Sequence, residues 1–146
     1  MQQNAELDGY ELEIGRIFNL DNGDLEVSFG RDVVNGTLAD GMNIPRLSPA
    51  RNIYSVKYFA NDYLFDLSLK DVDDQTDVAE EETTTMGYQM LDTKLVKTFD
   101  LNGNSLRVSV FANNLLDEVA RNHSSFVKNQ VPLPGRNYGI RFNLTF

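Results

Sequence analysis

Apolar and polar residues alternate with a period of two along most of this chain, and the alternation restarts about seven times. Helical spacing is nearly absent. The first run sets Tyr10, Leu12, Ile14 and Phe18 on one phase, and the second sets Leu25, Val27, Phe29 and Val33. Tyr54, Val56 and Tyr58 follow, then Tyr63, Phe65, Leu67 and Leu69. The later runs carry Leu91, Leu95 and Phe99, then Leu106, Val108, Val110 and Ala112, and last Tyr138, Ile140, Phe142, Leu144 and Phe146. Lys57 with Phe59 blurs the phase of the third run, and Lys97 with Val96 blurs that of the fifth. The pattern predicts an all-β chain, an antiparallel meander of about seven long strands.

The opposite phase is strongly polar. It holds Glu11, Glu13, Glu26, Asp32, Lys57, Asp66, Lys70, Asp92, Lys94, Arg107 and Arg141. Two-faced strands of this kind suit an antiparallel sheet with one dry and one wet face. They suit equally a barrel with lipid outside and water in the lumen, because side chains alternate across the sheet whichever solvent lies beyond it.

The connections separate the two cases. "NLDNGD" (19–24), "AND" (60–62) and "DLNGN" (100–104) have hairpin-turn chemistry, whereas residues 35–51, 71–87 and 114–136 are long links. Short and long strictly alternate. Structureless loops beyond about a dozen residues are uncommon in a compact soluble domain, but an outer-membrane barrel has short periplasmic turns and long extracellular loops. Runs of about ten residues, tilted, cross the hydrocarbon. Phe18, Tyr58, Tyr63, Phe99, Tyr138 and Phe146 lie at run ends, where interfacial girdles would place aromatics. Bacterial single-chain barrels have an even number of strands. An odd count ending on Phe146 therefore leads us to expect that residues 1–146 are one C-terminal barrel segment, with earlier strands elsewhere.

Composition narrows the function classes. The 146 residues carry a net charge of −9, which argues against a nucleic-acid partner, since phosphate binding relies on clustered Lys and Arg. With no Cys there is neither a disulfide frame nor a thiolate metal site. No run of eighteen or so apolar residues exists to form a membrane helix, and "MQQNAELDGY" has no basic and apolar leader pattern.

Several segments, in order, resemble the C-terminal barrel strands of the TonB-dependent outer-membrane receptors. "NAELDGYELEIGRIF" is similar to the recurring Gly-aromatic-Glu-Leu-Glu strand, and "IPRLSPARNIYSVKY" to a Pro-Arg-x-x-Pro-x-Arg strand entry. "GYQMLDTKLVKTF" resembles a segment with Leu-Asp before a strand ending in an aromatic. "LRVSVFANNLLDEVARNHSSF" resembles the Asn-Leu-Leu-Asp-Glu stretch, with Ala120 where a tyrosine is usual, and "PLPGRNYGIRFNLTF" resembles the closing Pro-Gly-Arg strand with a terminal Phe. The resemblance implies a roughly 22-stranded barrel with an N-terminal plug. It implies a Gram-negative outer-membrane location, power from the TonB energy-coupling complex, and uptake of an iron-siderophore, transition metal or similar scarce nutrient. It further implies that the assembly machinery recognises the terminal strand, Tyr138, Ile140, Phe142, Leu144 and Phe146, which closes the barrel. The plug, the motif that engages the coupling complex and the earlier strands are not among these residues.

Candidate chemistry is sparse. His123, the single His, lies near Asp117 and Glu118 in a long link, and imidazole with carboxylates suits an incoming metal. A lone His is more often a loop-packing or solvent-facing residue. The run "DVDDQTDVAEEE" is dense in carboxylates but lacks the ordered spacing of a calcium loop, and is expected to be a solvated acidic loop. Glu11, Glu13, Asp66, Lys70, Asp92, Lys94, Arg107 and Arg141 are expected to face the lumen and the plug, where opposite charges stabilise modestly across strands. No nucleophile with a base, phosphate loop or cofactor motif is found, so neither an enzyme nor a cofactor is expected. The competing reading is a soluble β-sandwich or small barrel that binds a carbohydrate or lipid, with Phe146 an ordinary core residue. The two differ in which face is dry.

Overall fold

A computed structural model describes residues 4–146; the first three residues of the stretch read for a leader lie outside the described part. Seven strands follow one another: β1 (Ala5–Leu20), β2 (Gly23–Leu38), β3 (Arg51–Ala60), β4 (Tyr63–Val72), β5 (Tyr88–Leu101), β6 (Asn104–Asn113) and β7 (Asn137–Thr145). Each pairs antiparallel with the next in a single sheet ordered β1-β2-β3-β4-β5-β6-β7. The meander expected from the alternation is therefore present.

The tight turns arise where the sequence offers residues that tolerate a left-handed backbone. Asn61 has φ 48°, and Asn102 and Gly103 have φ 55° and 95°, the double positive-φ conformation that matches the twist of a two-residue hairpin. The long links are shorter than the sequence suggests. β2 runs on through "NGTL" to Leu38 and β4 through Val72, because their main chains still find partners: Asn35 opposite Asp8, Gly36 opposite Leu7, and Val72 opposite Arg51. A ladder needs only amides and carbonyls in register, so polar and small side chains do not end it.

Directly paired residues share a face, so the register defines both surfaces. One row passes through Arg16, Val27, Val56, Leu67, Thr93, Ala112 and Tyr138. It lies deep inside β1 yet crosses β7 at its second position, so the sheet descends like a staircase. This stagger is what tilted strands require to curve toward closure. The same face carries the apolar phase of every run, including Leu95 and Phe99. It also takes Lys97 and leaves Val96 on the other side, which resolves the blurred fifth run.

The apolar face is uncovered. Tyr138 is 69% and Phe142 67% exposed, while only Val72, Val96, Ala112 and Ala120 are buried hydrophobics among the described residues. Among the described residues the strands form a single sheet with no second sheet packed on it, unlike the sandwich of the competing reading. The core role which that reading gives Phe146 is not met, as that ring is 97% exposed.

On the polar face, Phe111 lies opposite Gly139. A Cβ at Gly139 would sit 2.3 Å from the Phe111 ring, so the ring occupies the space that the glycine leaves, an aromatic cover over a bare strand position. Gly139→Val is expected to cost about 1–3 kcal/mol through overpacking. Gly139→Val combined with Phe111→Ala should lose less than the two single changes added together. A double-mutant cycle in urea unfolding measures the coupling, and strict additivity would disprove the contact's role.

Candidate functional site

Two polar regions can carry function: the wet face of the sheet, and the long loops at one end. All eight inward-facing candidates lie on the wet face by register. The row below the sheet's middle reads Glu26, Lys57, Asp66, Lys94 across β2 to β5, an alternating charge ladder that continues into Phe111 and Gly139. Lys57 Nζ lies 3.4 Å from Glu26 and Lys94 Nζ 3.6 Å from Asp66. A second pair closes nearer the loops, where the Arg51 Nε donates to Asp32 at 2.6 Å. All are partly solvated, so each contributes modestly, ~1 kcal/mol or less.

Asp92 accepts the Asn114 amide at 2.8 Å. Glu11, Glu13, Lys70, Arg107 and Arg141 form no ion pair among the described residues. A recess of about 410 Å³ opens on this face between Asp66, Asp92, Lys94, Phe111, Asn113 and Arg141. Its lining offers charge of both signs beside an aromatic surface, which suits a polar chain segment or a zwitterionic solute better than an apolar one.

The loops depart from expectation most. Residues 39–50, 73–87 and 114–136 are packed together rather than structureless. Asp73 N donates to Ala50 O at 2.9 Å, Asn43 Nδ2 to Val78 O at 3.1 Å, and Gln75 Nε2 to Leu47 O at 3.1 Å. Thr83 and Asn129 bond each other at 3.0 Å. The Arg46 guanidinium lies 3.3 Å from the Phe126 ring centroid, a cation–π contact between loops.

The metal grouping of His123, Asp117 and Glu118 is not assembled. Asp117 pairs with Arg136 at 3.2 Å, and the Glu118 side chain points to solvent while Asn114 Oδ1 accepts its amide at 2.9 Å. Asn114, 1% exposed, organises this turn: its Nδ2 donates to Glu118 O at 2.9 Å and to Pro134 O at 3.2 Å. Its side chain satisfies the backbone of the turn and so holds Asp117 and Glu118 away from the imidazole. Among the described residues no group of three or more His, Cys, Asp or Glu is placed to hold a metal ion.

His123 instead is 2% exposed and faces three side chains the sequence did not single out together. Its Nε2 lies 3.1 Å from Glu82 Oε1 and its Nδ1 2.9 Å from Thr85 Oγ1. The Lys128 Nζ reaches the same Glu82 oxygen at 2.9 Å and stands 3.3–3.4 Å from both ring nitrogens. An ionised carboxylate only accepts, so Nε2 carries the imidazole proton and Nδ1 accepts from the Thr85 hydroxyl.

Burial works to raise the Glu82 pKa, but the Lys128 hydrogen bond together with the Arg46 and Ala79 amides outweighs it and holds the carboxyl at about 2. Burial, with the Lys128 charge added, lowers that of His123 against the opposing pull of Glu82. The acidic loop is thus solvated only in part: Asp73, Asp74, Asp77, Glu80 and Glu81 are exposed, whereas Glu82 turns inward. Run composition holds no signal for that difference.

No family model and no curated protein matches the chain. Among solved structures it is similar to one named "Copper transporter OprC", with a TM-score of 0.84 at 17% identity over 99% of this chain. The chain spans 24% of that protein's length. At this identity the likeness is one of fold, and it extends to nearly every described strand and loop.

Proposed function

We propose that these residues form part of the wall of an outer-membrane barrel transporter of the TonB-dependent class, which takes up a metal, an iron-siderophore or a similar scarce nutrient. The observation that carries the reading is the division of the sheet into a bare apolar face and a charged face bearing an ion ladder. Water on both sides would leave the apolar face a large exposed patch, which folded soluble chains avoid. Lipid against it and water within satisfies both faces. The staggered register, the short turns at one end and the packed loops at the other support the same arrangement, as does the fold likeness to a copper transporter.

In this reading Glu11, Glu13, Lys70, Arg107 and Arg141, together with the ladder, face the lumen and meet a plug domain. The first barrel strand pairs with β7, whose aromatic end engages the assembly machinery. An energy-coupling complex drives uptake from the other membrane. The chain contributes wall, loop cap and lumen charge.

Membrane fractionation tests the proposal. The protein is expected to stay in the outer-membrane pellet through urea and high-salt washes and to be released by detergent. Recovery as a detergent-free soluble monomer would disprove it. For cargo, cells lacking the protein should accumulate less labelled copper or ferric siderophore under scarcity; unchanged uptake of both removes these cargoes.

A further inference from the structure

The buried cluster joins two loops that are distant in sequence. Glu82 and Thr85 come from residues 73–87, and His123 and Lys128 from residues 114–136. Arg46 of the third loop touches it through its amide, which donates to Glu82 at 3.2 Å, and Arg121 supports it by donating to Lys128 O. Besides Glu82 and Lys128, no charged side chain forms a hydrogen bond or ion pair with the His123 ring among the described residues.

One carboxylate here faces one ammonium, and the imidazole must be neutral for the charges to balance. A proton added at Nδ1 would oblige Thr85 to reverse its hydrogen bond. It would also set a second positive charge beside the Lys128 Nζ, 3.3–3.4 Å away, in a site nearly closed to water. Like charges so placed repel strongly because little solvent screens them. Relief requires one of the two loops to move.

We propose that Glu82, Thr85, His123 and Lys128 form a proton-operated latch between residues 73–87 and 114–136, closed while His123 is neutral and opened when it is protonated. The direction follows from the charges: the lowered His123 pKa means the closed form binds a proton less readily than the open form. Closure is therefore complete at neutral pH and is lost as pH falls below the ordinary histidine range. Glu82, held at about 2, stays ionised throughout that window and does not drive the change.

Spin-label distance measurements on the intact protein in detergent micelles test this. Residues 1–146 hold no Cys, so Glu80→Cys with Gln130→Cys, one exposed position on each loop, can be labelled selectively once any Cys elsewhere in the protein is replaced by Ser. A single short distance is expected at about pH 7.5 and a longer, broader distribution at about pH 5. His123→Gln, neutral at both values, should hold the short distance throughout. If that variant is open at both, Lys128→Gln decides: protonated His123 then faces Glu82 alone, so acid should no longer lengthen the distance. An unchanged distance in the wild-type background would overturn the latch, as would a wild-type acid response in either variant.

Discussion

Phe142→Arg is expected, on the proposed membrane reading, to destabilise the inserted protein by about 2–4 kcal/mol, the cost of an arginine near the bilayer midplane on a barrel's lipid face. Phe142 lies at the centre of the terminal run, with Tyr138 and Ile140 on one side and Leu144 and Phe146 on the other. Its ring stands on the uncovered face, opposite Val108. The neighbouring change Asn143→Glu alters charge one residue further on. It lies opposite Arg107 on the polar face and should be neutral or slightly stabilising, as opposite charges across a ladder are. Urea midpoints in phospholipid vesicles, with protease protection as the measure of insertion, distinguish the two. Equal losses would show that both faces see the same solvent, and no loss from Phe142→Arg would remove lipid from the apolar face.

Glu82→Ala should have the second large effect, confined to the loops. The carboxylate accepts from Lys128, His123 and the amides of Arg46 and Ala79, so its removal leaves a buried ammonium and several donors without an acceptor. Removing one partner of a buried pair costs about 3–5 kcal/mol. Hydrogen exchange in residues 73–87 and 114–136 should accelerate accordingly while the β-ladder amides keep their protection. Exchange spread evenly over the strands, or unchanged in the loops, would contradict the assignment.

A pH dependence accompanies it. The carboxyl falls from an ordinary 4.5 to about 2 in the folded loops, so it binds a proton more readily when they unfold. Its contribution, on the order of 3 kcal/mol, is complete above about pH 4.5 and disappears as pH falls toward 2. In the His123→Gln background, where the loops stay closed in acid, adding Glu82→Gln should flatten loop stability, read by hydrogen exchange in residues 73–87, across that window.

Alternation by two is a local property. Each side chain points opposite to its neighbour because the extended backbone makes it so, whatever lies beyond the sheet. Strand number, the tight turns, the antiparallel order and the membership of each face were therefore legible residue by residue, from Tyr10 and Leu12 through to Phe146. The third and fifth runs were the exceptions, since Phe59, Val96 and Lys97 each sit on the side opposite to their chemistry and only pairing, of Phe59 and Val96 with Leu64 and of Lys97 with Tyr63, assigns them.

Tertiary structure decided the rest. Whether Glu26, Lys57, Asp66 and Lys94 form one row depends on the register of four strands, and a slip of one residue in any of them would dissolve the ladder. Whether His123 meets Asp117 six residues away or Glu82 in another loop depends on a turn that Asn114 organises and on contacts spanning 46 residues, such as Lys128 with Glu82. Spacing along the chain encodes nothing of such pairings. The sequence by itself determined a two-faced β-meander, because side-chain alternation is written into every strand. The polar site was decided only by folding, because its charges come from segments that share no local pattern and meet where the backbone leaves a dry space between the loops.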